Sequence, residues 1–128
     1  MIVFDHTKHK ALWNMIISIL HDPNTNISCA SELKEEAFRR LYPYDATPLA
    51  TCYACEYDEN INDTFKEEDR PEDCTNCPLN WPDDLVCSEE YSLFDKFCDA
   101  CRCKDYLTAI LVARYIRDCP VKENVDIA

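Results

Sequence analysis

Two pairs of cysteines define the chemistry open to this sequence: Cys52-Tyr-Ala-Cys55 and, 18 residues later, Cys74-Thr-Asn-Cys77. A C-x2-C turn brings two thiolates to one ion, and zinc takes four sulfur or nitrogen ligands in a tetrahedron. Two such pairs about 15–20 residues apart read as a zinc site. The expected cofactor is therefore one structural Zn2+ on Cys52, Cys55, Cys74 and Cys77. The same thiols also suit redox or disulfide pairing, or an iron–sulfur cluster. Neither pair opens a helix inside a βαβ unit, the usual setting of a redox C-x-x-C. Cys87 lies ten residues beyond Cys77. It either packs as a small apolar group or replaces one of the four ligands.

Other residues with chemical potential carry weaker signals. Cys98, Cys101 and Cys103 stand close together, with Cys29 and Cys119 far off in sequence. Cys98 and Cys101 share a helix face and are expected to pack in the core, the alternatives being a second metal site completed by Cys103 and one of Cys29, Cys119 or Cys87, or disulfides. His6, His9 and His21 lack the H-E-x-x-H pattern and read as surface residues. Glu67-Glu68-Asp69 and Asp83-Asp84 read as solvated surface before paired catalytic carboxylates. With no nucleophile elbow, Walker motif or Cys-His signature, the expectation is a protein with no catalytic residues, not an enzyme.

The elements that must position these cysteines follow from patterning. At 128 residues the chain suits a single domain, 1–128. It contains ten cysteines and no glycine. Without glycine, phosphate-cradling loops and tight primed hairpins are disfavoured, so helices joined by Pro- and Asn-marked loops are the simpler architecture. Left-handed positions are expected at Asn24, Asn26, Asn60, Asn62, Asn76 and Asn80. The fold class is mainly α with little or no β: three helices, about 6–20, 32–41 and 89–118, around a zinc-stapled irregular loop. Asp5, Ser31 and Ser88 are the expected N-caps. Leu12, Trp13, Ile16, Ile17, Ile19 and Leu20 form the apolar face of the first helix. Leu107, Ile110, Leu111 and Tyr115 extend that of the last, after a kink near Lys104. The parts are a helical 1–42, an acidic loop 43–88, the long helix and a tail 119–128. Loop 43–88 carries five of the seven prolines and no sustained helical period.

Localisation turns on the N-terminus. Lys8 and Lys10 precede an apolar run, but Asn14 and Ser18 interrupt it, which argues against a secretory leader. No run of 18 apolar residues suggests a membrane span. A reducing, cytoplasmic setting is therefore expected, and it favours metal over disulfides.

Charge is concentrated in one place. Residues 52–90 hold 13 acids and two bases, net −11, of a total of −12. Such a field repels nucleic acid and steers the chain toward basic protein surfaces. The candidate partner-binding residues are Glu56, Asp58, Glu59, Asp63, Glu67, Glu68, Asp69, Asp83 and Asp84.

His9-Lys-Ala-Leu-Trp13, Cys52-Tyr-Ala-Cys55-Glu-Tyr57 and Cys74-Thr-Asn-Cys77-Pro-Leu-Asn-Trp81, with a terminal helix running into Cys119-Pro-Val-Lys122, resemble a known group. These are the small cysteine-rich accessory proteins of phages and prophages of Gram-positive bacteria; Cys98, Cys101 and Cys103 depart from their pattern. The resemblance implies action in the host bacterial cytoplasm. The group has no established activity; in that setting the concentrated acidic charge leads to the expectation of binding and inhibition of a host nucleic-acid-binding protein, including defence effectors of the restriction or CRISPR type, by occlusion. The alternative is a zinc-stapled adaptor within the phage's own replication or transcription apparatus. The oligomeric state is left open.

Overall fold

Asp5 starts the first helix, its carboxylate accepting the Lys8 N–H at 3.0 Å. This helix, α1 (His6–His21), turns Leu12, Trp13, Ile16, Ile17, Ile19 and Leu20 inward. The structure is a computed structural model describing residues 2–45 and 52–128, the side chain of Asp83 excepted. Among the described residues four further α-helices follow: α2 (Ala30–Leu41), α3 (Tyr53–Asn62), α4 (Leu93–Arg102) and α5 (Tyr106–Arg117). Helix α1 is the hub, packing against α2, α3 and α5, while α4 packs against α5 and α2. Phe97 of α4 closes the core from the far side, its ring edge-on to Trp13 at 5.1 Å.

The mainly helical class is seen, with no strand among the described residues, only isolated bridges pairing Phe4 with Ile127 and Leu79 with Val121. The expected number and bounds of helices need correction. The anticipated 89–118 helix is two helices, because Lys104 takes a left-handed φ of 55° and Asp105 caps a new start at Thr108 N–H. Its first cap is Ser92 rather than Ser88, and Tyr91 just before it also has positive φ. Helix α2 begins after Cys29, two residues before the expected Ser31 cap. Helix α3 lies inside the stretch read as irregular. Left-handed backbone falls at Cys74, Asp84, Tyr91 and Lys104, not at the asparagines.

Residues 119–128 do more than trail. Pro120 and Lys122 exchange backbone hydrogen bonds with Asn80 and Pro78 at 2.7 and 2.8 Å. Beyond them, Asp126 accepts from Phe4 at 2.8 Å. The chain end thus straps the segment after Cys77 to the start of α1.

Candidate functional site

Helix α3 faces two ways. Its 3.6-residue period puts Ala54, Tyr57, Asp58 and Asn62 inside and Glu56, Glu59 and Asp63 outside. Cys52 is its N-cap residue in extended conformation and Cys55 sits in its first turn, so both thiols approach the interior from one end. The second pair forms a tight turn, closed by Cys77 N–H donating to the Cys74 carbonyl at 3.3 Å.

Asp58 joins the two pairs. Its Oδ2 accepts the Cys74 N–H at 2.9 Å and its Oδ1 the Asn76 N–H at 2.7 Å. Asn62, fully buried, donates to Asp58 at 3.3 Å and accepts from the Asn76 side chain at 2.7 Å. Two backbone donors and one amide satisfy a carboxylate that is only 6% exposed. Asp58 therefore leaves the set of partner-facing acids.

Cys52, Cys55, Cys74, Cys77 and Cys87 all line one cavity. Cys74 Sγ and Cys87 Sγ are 4.0 Å apart. Cys77 Sγ accepts the Trp81 indole N–H at 3.3 Å. Trp13, Leu79, Phe94 and Ile116 give the cavity an apolar wall. Cys87 thus packs against the core, as expected of a small apolar group, and also lies beside the Cys74 thiol. Among the described residues no three His, Cys, Asp or Glu side chains are already drawn together as a metal centre.

Three of these thiols, Cys52, Cys55 and Cys77, are held protonated. Cys52 is raised well above the ordinary 9.0 by its contact with the Cys55 thiol and by burial. At Cys55 the Cys52 contact acts downward, but Cys87 and burial outweigh it and push the thiol up to about 12. Burial raises Cys77 against the pull of the Leu79 and Trp81 N–H donors. Lys34 supplies the positive charge nearby. It lines the cavity, is 7% exposed, and sets its ammonium 4.7 Å over the Phe94 ring.

The remaining candidates disperse. Cys101 is buried, and burial with Cys98 and Cys29 nearby pushes it up to about 12. Cys103 is exposed at the end of α4. His9 is no surface residue: at 2% exposure it contacts the Ile116 carbonyl through Nε2 at 3.1 Å, and burial lowers it to about 4. Its Leu12–Trp13 neighbours signalled a buried face, and the polar ring masked it. Glu56, Glu59, Asp63, Glu67, Glu68, Asp69 and Asp84 are exposed, and Asp63 pairs with Arg70. The Asp83 side chain lies outside those described.

Leu107, Leu111 and Tyr115, expected in the core, lie on the outside of α5 at 84%, 53% and 61% exposure; of that set only Ile110 is buried. No helix among the described residues is long and apolar enough to cross a membrane. Comparison with family models, with characterised protein sequences and with solved structures gave no match.

Proposed function

We propose that four thiolates of the cysteine cavity hold one structural Zn2+, and that the acidic surface built on this centre binds a basic protein. The partner class is a host nucleic-acid-binding protein of the bacterial cytoplasm, inhibited by occlusion of its basic surface. One observation carries the reading: α3 turns Cys52, Cys55 and Asp58 inward while Glu56, Glu59 and Asp63 face solvent. Ordering of the thiols therefore orders the carboxylates. Glu67, Glu68 and Asp69 continue the exposed acidic surface on the adjoining 3-10 turn. Fixed carboxylates mimic phosphate charge for a basic groove and repel nucleic acid itself.

A second reading rests on the exposed Leu107, Leu111 and Tyr115, which recur every four residues along one face of α5. It makes the protein an adaptor that docks through an apolar helix face.

Affinity capture from bacterial lysate over a salt series tests both. The occlusion reading expects a nucleic-acid-binding partner that is released by salt, competed by DNA, and lost with Glu56→Gln/Glu59→Gln/Glu67→Gln/Glu68→Gln. Capture that resists salt and disappears with Leu107→Ser/Leu111→Ser overturns it in favour of the adaptor.

A further inference from the structure

We propose that the outer face of α5 pairs antiparallel with the same face of a second copy of this chain, on a twofold axis through Leu111. Neither the metal nor the acidic surface is needed for this pairing.

Leu107, Leu111 and Tyr115 stand at i, i+4 and i+8 and so form one stripe along the helix. All three are exposed, Leu107 most of all. The opposite face of α5 is buried against α1 and α4. The stripe ends in a groove that Tyr115 and Asp118 line together with Pro82, Leu93 and Pro120. Helix α5 therefore carries a protruding side chain, Leu107, near its start and an apolar recess at its end, about 12 Å further along.

An antiparallel pair sets residues equally spaced on either side of the axis opposite one another. With the axis at Leu111, that side chain meets its own copy. Leu107 then faces Tyr115 of the second copy and drops toward the groove beside it. Further out, Lys104 and Asp118, which flank the helix at equal distances from Leu111, face each other once on each side. The Lys104 ammonium meets a neutral oxygen, Asn26 Oδ1, at 2.5 Å. Both oxygens of Asp118 accept from Arg117 at 2.9 Å. Each group retains capacity for a further hydrogen bond. Shape and charge are thus self-complementary in one and the same register, as a contact between identical surfaces requires. A partner of unrelated sequence would demand neither match.

The charge distribution permits the approach. From Lys104 to Asp118 the chain has three bases, Lys104, Arg114 and Arg117, against the acids Asp105 and Asp118. Two copies that repel as whole molecules therefore meet through a segment with none of the excess negative charge. Among the described residues α3 packs on α1 and not on α5, so its outward carboxylates stay free in the pair.

The test is analytical ultracentrifugation of the reduced full chain over a concentration series. Reductant excludes cross-links through the exposed Cys29 and Cys103. One helix face per copy makes a small interface, so a monomer–dimer equilibrium in roughly the micromolar range is expected. Leu111→Glu should abolish it, and Leu107→Ser should weaken it by about tenfold or more. Circular dichroism and thermal unfolding should stay unchanged in both variants, because both side chains are exposed. In about 0.1 M salt, Lys104→Glu should weaken the dimer by about fivefold, and adding Asp118→Lys should restore it. A monomer at every concentration overturns the proposal, as does a dimer indifferent to Leu111→Glu. A dimer that Leu111→Glu abolishes but that the charge exchange fails to restore overturns the antiparallel pairing.

Discussion

The Asp58 carboxylate holds the backbone of Cys74, Oδ2 to N–H at 2.9 Å, and so couples the inner face of α3 to the second cysteine turn. With the Asn76 N–H on its other oxygen, one side chain ties the two C-x2-C units together. Asp58→Asn replaces one acceptor oxygen with a donor that faces an N–H. The expected loss is about 1–3 kcal/mol of stability, measured by urea denaturation. A variant as stable as the parent would remove Asp58 from its role as the link.

Lys34 provides a second, electrostatic test. Its ammonium borders Cys52 and Cys55 and favours their thiolate forms. Lys34→Met keeps the packing on Phe94 and deletes the charge. Zn2+ affinity, measured against a competing chelator, should fall by about tenfold or more, and Lys34→Arg should retain most of it. Unchanged affinity in Lys34→Met would mean that the ammonium does not balance the thiolates.

His9 should make stability pH-dependent. Burial is the main cause of its depression to about 4, with His6, Lys10 and Lys34 acting the same way and the Ile116 carbonyl opposing. The unfolded ring protonates near its ordinary 6.5 while the folded ring stays neutral. Its contribution is therefore complete above about pH 6.5 and is lost as pH falls toward 4, by about 3 kcal/mol in all. His9→Gln, which keeps a neutral donor for Ile116, should show a flatter stability curve across that window. Parallel curves for the two proteins would contradict the assignment.

Phe97 tests the core. It is fully buried, edge-on to Trp13, and joins α4 to α1. Phe97→Ala should cost about 3–5 kcal/mol in thermal or urea unfolding. A cost below about 1 kcal/mol would show that α4 contributes little to the fold.

Much of this was legible in the residues themselves. Asp5 as the cap of α1, its inward apolar face and the largely helical class follow from periodicity and short-range chemistry. Helix α3 was hidden because its inward stripe carries Asp58 and Asn62, polar residues that satisfy one another only once Asn76 and Cys74 arrive from elsewhere. The outward stripe Leu107, Leu111 and Tyr115 misled for the opposite reason. Periodicity marks an apolar face but not whether a neighbour covers it.

The sequence alone determines that two C-x2-C units stand 18 residues apart and that nearly all the net charge lies in the same stretch. It does not decide which sulfurs meet. Cys87 joins Cys74 through the fold around the Ser92 cap and the packing of α4 beneath α2 and α5. Cys77 lines the same cavity and accepts the Trp81 indole N–H. Local spacing controls which side chains share a turn, whereas contacts between distant segments are set by the packing of the elements that carry them.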